Sequence, residues 1–347
     1  MTFFSKYDLS PSDIDGINLL LSGHSVIDWH SLAFYSKEEV DRFLRVNEFN
    51  PDSIDDMNLL EEIRDEAVDY LSRHLDYVIP KEIASDIPVS ELFMIASKKD
   101  KFQSYACIVL KAMHVIHHLS GREVLFHLPV SDDQIFAAVE NKVLQVVDEL
   151  RSSGQSIVEF AWSRKEKSSL ITKLLAKRES IAAHVYDKLR FRLIARNKND
   201  LIEILKELLH RLVPFNYIIP GQTVNKLIEP IPVTDPHRSF INPSVNSDDF
   251  SETNNRFSGP KYKVLNFVAD LPIRVSQILK HSTLSPEEQK SFDPRAVVFI
   301  LTEFQVLDEQ TEKQNEQHEN SHQVYKERQK NLVKNRLTMG NRFRSLP

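Results

Sequence analysis

The run Val297-Val298-Phe299-Ile300-Leu301-Thr302-Glu303-Phe304-Gln305-Val306-Leu307 constrains this chain more than any other segment. It reads as a strand, and period-two geometry puts Val297, Phe299, Leu301, Glu303 and Gln305 on one face. A carboxylate and an amide at the end of an apolar strand are costly to bury without partners. Either they reach water at a sheet edge, which is the plain expectation for such residues, or they serve a site.

The segments around it predict what the strand pairs with. Residues 157–162 are strand-like and follow a helix expected over 133–151. A helix is expected over 167–183. In Lys188-Leu189-Arg190-Phe191-Arg192-Leu193-Ile194 apolar and basic residues alternate, which marks a strand with one face in the core and one toward solvent or a ligand. A helix capped by Asn199 or Asp200 runs to Leu212, and a further strand is expected over 262–271. This order implies an α/β fold, a mixed sheet covered by helices, over residues 133–310. A long irregular insertion occupies 213–260, rich in proline, serine and asparagine.

Residues 1–132 read as a mostly helical domain, with helices over 37–44, 55–77 and 102–119. Ser36 is the expected N-cap of the first, and Gly121 the expected residue just past the end of the third. Residues 311–347 read as a polar helix and tail.

Composition narrows the function classes. The net charge of −6 argues against a chain coated for generic nucleic-acid binding. Between Arg164 and Arg196, however, lysines and arginines far outnumber acids, which suits a compact anionic ligand or a solvated helix face. No apolar run is long enough to span a bilayer, so no membrane partner is expected. The first residues do not look like a signal peptide, and the one cysteine, Cys107, fits a reducing compartment, so the cytoplasm is expected. Asp187 enters the 188–194 strand, as a turn residue or, paired with Glu303, as a ligand for Mg²⁺. His114, His117 and His118 share one expected helix and read as core or interface histidines before metal ligands.

Lys165, Ser169 and Lys173, each four residues apart, then Tyr186-Asp187-Lys188-Leu189-Arg190-Phe191-Arg192, then Glu303-Phe304-Gln305, form an ordered series. Over residues 134–328 it resembles the synthetase domain of RelA/SpoT-type alarmone enzymes; Glu316, His322, Tyr325 and Lys326 extend the agreement. The resemblance implies a nucleotidyltransferase-like synthetase fold. It also implies that Lys165, Lys173, Arg164 and Arg190 contact the phosphates of ATP; Ser169 and Lys177, near the same expected helix face as Lys173, Arg192 beside Arg190, and Tyr262 are the further nucleotide-binding candidates. Asp187 and Glu303 would hold Mg²⁺, with Asp187, Glu303 and Gln305 the catalytic set. The implied reaction moves the β,γ-pyrophosphate of ATP to the 3′-hydroxyl of a second nucleotide or a tRNA end.

The chain also departs from that pattern. Where the family has Gly-Tyr-x-Ser-x-His, this chain has Lys261-Tyr262-Lys263-Val264-Leu265-Asn266, and Leu307 replaces an expected arginine. A catalytically inactive nucleotide-binding or partner-docking module is therefore the second reading, with a protein partner at the helical region or the last helix. A nucleotidyltransferase of another kind needs a Gly-Ser loop with paired aspartates, and Ala161-Trp162-Ser163 offers neither.

Overall fold

The computed structural model describes residues 7–23, 34–176, 188–232, 262–316 and 322–339. Five strands, β1 (Ile157–Arg164), β2 (Leu189–Ala195), β3 (Val224–Asn225), β4 (Leu265–Arg274) and β5 (Val297–Asp308), form one sheet in the order β1-β2-β5-β4-β3. β2 and β5 run parallel, while the other neighbours are antiparallel, so the sheet is mixed. Both long apolar segments of the sequence sit at its centre, where both faces are covered and a near-continuous apolar run is stable.

One face carries the main apolar core. Phe160, Phe191, Phe304 and Phe267 cross it as a row of stacked rings on four strands, with centroids 5.9, 5.6 and 5.2 Å apart. This row shares a core with Val139, Val143, Val147 and Leu150 of α6 (Asp132–Ser152) and with Leu201, Leu205 and Leu208 of α8 (Asp200–Arg211). Ser131 opens α6 with a capping box to Gln134. The first helix, α1 (Pro11–Ser22), belongs to the same core through Ile14, Ile17, Leu20 and Leu21. Its Asn18 side chain both accepts from and donates to the backbone of Ile231, at 2.8 and 2.9 Å.

A second core joins α2 (Lys37–Val46), α3 (Ile54–Leu75), α4 (Val89–Ala96) and α5 (Gln103–His127) around Val40, Phe43, Leu60, Ile63, Phe93 and Leu110. Ser36 caps α2 as expected. Helix α5 corrects the sequence reading of Gly121, which lies inside the helix and buried. A Cβ there would meet the Phe299 ring and the Val297 carbonyl oxygen, each at 2.5 Å. The glycine is needed because α5 crosses β5 with no room for a side chain, and a helix interior accepts it at a cost of about 1 kcal/mol.

The region read as an irregular insertion is partly built into the sheet. A turn of 3₁₀ helix (Phe215–Tyr217), a bridge from Ile218 to Ala269 and β3 line it up with β4, burying Leu227, Ile228 and Ile231. Proline and asparagine made this stretch look irregular, but its aliphatic residues have an edge to cover. Residues 233–261 lie outside the described set. Among the described residues no helix is long and apolar enough to cross a membrane.

Candidate active site

The sheet's other face carries the polar residues. Register places Arg190 opposite Glu303, Arg192 opposite Gln305, and Asn266 opposite Gln305 from the other side. Period two then brings Arg190, Arg192, Glu303, Gln305 and Asn266 to one face on three adjacent strands. Glu303 is 5% exposed. Arg190 Nε donates to its Oε2 at 2.7 Å, and Asn266 Nδ2 donates to its Oε1 at 2.7 Å. Glu303 is therefore not solvated at an edge. It lies on a central strand, and two donors offset the cost of burying it.

Arg192 makes a second pair, with Glu312 of α9 (Glu309–Asn315). This helix starts directly after β5, where Asp308 accepts hydrogen bonds from the Thr311 amide at 3.0 Å and the Thr311 hydroxyl at 2.6 Å. The cap turns the chain back so that Glu312 lies over β2. Burial raises the Glu312 carboxyl above its ordinary range; Arg192 opposes the shift, and Glu316 and Glu159 add to it. Tyr262 is half-buried beside Arg192, Glu312, Arg190 and Glu303, and burial is the main cause of its raised phenol pKa. Asn315, 1% exposed, holds the next residue at both ends. Its Oδ1 accepts from the Lys263 amide at 3.0 Å, and its Nδ2 donates to the Lys263 carbonyl at 2.7 Å.

The sequence reading passed over Asn266, Glu312 and Asn315. The Asp308-x-x-Thr311 cap was the available signal, since it announces a helix turning off the end of the informative strand.

The basic stretch divides. Arg164 pairs in register with Leu189, which puts it on the face of the aromatic row, away from Arg190. There it donates to both oxygens of Glu140 at 2.7 and 2.8 Å and to Asp133 at 2.8 Å. Those bonds, to Glu140 first, raise its pKa further. Lys165 follows β1, its amide bonded to the Lys188 carbonyl at 2.8 Å, two residues along from the Ser163–Arg190 pair. Ser169 and Lys173 are half-buried on α7 (Lys167–Ala176). Lys177 and Asp187 lie outside the described residues, so the Asp187–Glu303 metal pair is represented by Glu303 alone.

The three histidines sit where α5 meets the sheet. His117 is bonded through Nδ1 to the Tyr217 hydroxyl at 3.1 Å and lies edge-on to Phe299, and burial pushes its pKa down to about 3. His114 stacks on Tyr217 and is pushed down to about 4, by burial first and then by His118. His118 Nε2 is 2.8 Å from Asp270 Oδ2. Among the described residues no group of three or more His, Cys, Asp or Glu is arranged to hold a metal ion.

No family model and no curated protein matches the chain. Solved structures similar to it include the small alarmone synthetase 1 from Bacillus subtilis, at 12% identity over 60% of this chain and 89% of that one, with a TM-score of 0.30. A GTP pyrophosphokinase family protein from Streptococcus pneumoniae matches at 14% identity, over 61% and 88%, with a TM-score of 0.32. The small alarmone synthetase 2 from Bacillus subtilis matches at 13% identity, over 64% and 94%, with a TM-score of 0.31. At these identities and scores the site described above stands on this chain's own geometry.

Proposed function

We propose that this chain is a pyrophosphokinase-like transferase that moves the β,γ-pyrophosphate of ATP to the 3′-hydroxyl of a nucleotide or of a tRNA end. The observation that carries this reading is the convergence of Arg190, Arg192, Glu303, Gln305 and Tyr262 on one sheet face. In the reaction, the acceptor 3′-oxygen bonds to the β-phosphorus of ATP and the α,β-bridging bond breaks. AMP leaves with the bonding pair. Arg190 and Arg192 offer planar forks to the polyphosphate. Lys165 and Lys173 add charge from the β1–α7 side. Tyr262, oriented by the Asn315 grip on Lys263, offers a ring to a base. Glu303 keeps unused lone pairs on both oxygens and is our candidate for taking the acceptor's proton.

Mg²⁺ fits this donor set. Glu303 is a carboxylate, and the buried Oδ1 of its neighbour Asn266 has no hydrogen-bond partner among the described residues, which leaves a second hard oxygen on the adjacent side chain. With Asp187 these would hold a cation that takes its remaining ligands from phosphate and water. When bound, it would neutralise charge on the transferring group.

A second reading has its own observation. Arg192 and Glu303 are already matched by Glu312 and Arg190, and Leu307, where the family carries an arginine, is fully buried. That favours a module that binds a nucleotide and does not turn it over. Incubation with labelled ATP, Mg²⁺ and a panel of guanine and adenine nucleotides and tRNA separates the two. A 3′-pyrophosphorylated product supports the transferase. ATP binding without product supports the module, and absence of both overturns the assignment of the face.

A further inference from the structure

The last described helix, α10 (His322–Met339), packs against α7. In the sequence it carries Lys326, Arg328, Lys330, Lys334 and Arg336 against a single acid, Glu327, while α7 adds Lys167 and Lys173 with no acid. α10 thus contributes +4 and α7 +2 to a chain whose net charge is −6, which leaves −12 for everything else. Lys326, Lys330 and Lys334 recur every fourth residue, so they form one stripe along the helix, and all three are exposed. Among the described side chains of the two helices, Val333 and Ala176 are the buried apolar ones.

We infer that the α7–α10 face is a docking surface for single-stranded RNA. The two helices carry a net charge opposite in sign to that of the rest of the chain taken together, so a polyanion is drawn to this face. At 1.5 Å per residue, α10 is about 27 Å long, enough to follow several consecutive phosphates. A lipid surface fits less well. An interfacial helix needs a broad apolar side, whereas among the described side chains of α10 the large apolar one exposed is Leu337. Amides interleave with the cations, at Gln329, Asn331 and Asn335, and are suited to the ribose 2′-hydroxyl that separates RNA from DNA. On α7, Ile171 and Leu175 are exposed beside the basic residues and offer apolar surface to unpaired bases. The surface does not depend on the proposed transfer reaction.

Fluorescence anisotropy of the full chain with a labelled RNA strand of about 20 nucleotides, compared with DNA of the same sequence, tests the inference. The expected result is RNA binding that weakens steeply with salt and exceeds DNA binding. For Lys330→Gln with Lys334→Gln, affinity should fall about tenfold or more, and the slope against log salt should become shallower by about 1.4. The control Lys98→Gln with Lys99→Gln should bind as the unaltered chain does. Circular dichroism checks folding, and if the double variant is unfolded, Lys330→Gln alone should show about half the slope change. RNA binding that is absent at low salt, unchanged in the α10 variants, or no tighter than DNA binding overturns the proposal. So does binding to anionic vesicles but not to RNA.

Discussion

Arg190 and Glu303 face each other across the parallel pair β2–β5, and the guanidinium Nε donates to the carboxylate at 2.7 Å. They are 113 residues apart in sequence. The carboxylate is buried and the arginine about one third exposed, so removing one partner leaves a charge in the sheet.

Arg190→Ala should therefore destabilise the fold by about 1–3 kcal/mol, below the range for a fully buried pair because the arginine is partly solvated. Urea titration measures this. Glu303→Gln keeps the shape but takes the carboxylate from Arg190, so it should cost less than the arginine variant, about 1 kcal/mol, while abolishing pyrophosphate transfer. Transfer that survives Glu303→Gln would remove Glu303 from the catalytic set.

Glu312 competes with phosphate for Arg192. Glu312→Gln should free that guanidinium and tighten ATP binding by about fivefold, roughly 1 kcal/mol. Calorimetry reads the change, and unaltered affinity would mean that Arg192 does not meet the nucleotide.

Lys173 and Arg164 should behave differently although both belong to the basic stretch. Lys173→Ala should weaken ATP binding by about 1–3 kcal/mol. Arg164→Ala should leave it unchanged, since that side chain is engaged with Glu140 and Asp133 on the other face. Equal losses in both variants would show that the sheet faces have been misassigned.

Gly121→Ala would ordinarily stabilise a helix interior by about 1 kcal/mol. Here the added methyl meets a backbone carbonyl and the Phe299 ring. The expected sign is the reverse, a loss of about 1–3 kcal/mol from overpacking, read as a lowered thermal midpoint.

His114 and His117 set a pH dependence. Both are held neutral in the fold, with pKa values of about 4 and about 3, while in the unfolded chain they titrate near the ordinary 6.5. The unfolded state binds protons first, so stability is full above pH 6.5 and is lost as pH falls toward 4. The loss approaches about 1.4 kcal/mol per pH unit for each histidine. Urea midpoints at a series of pH values check this, and His117→Gln should flatten the profile.

What the sequence determined by itself was local. Alternation over residues 188–194 already placed Arg190 and Arg192 on one face, because a strand's side chains switch sides at every residue whatever it pairs with. The same rule joined Glu303 to Gln305, and Ser36 marked the start of its helix because a cap is satisfied within four residues. Tertiary structure decided which strands are neighbours. Only the order β1-β2-β5-β4-β3 brings Arg190 and Asn266 to the two oxygens of Glu303. That order is set by burying both faces of β5, a condition met by residues far away in the chain. Arg164, one residue from Lys165, went to the opposite face because strand parity persists to the end of β1. Gly121 could be read as a helix end because glycine has the same local signature there as in a helix interior. The Phe299 ring and the Val297 carbonyl, brought against it by packing, show that its purpose is close approach.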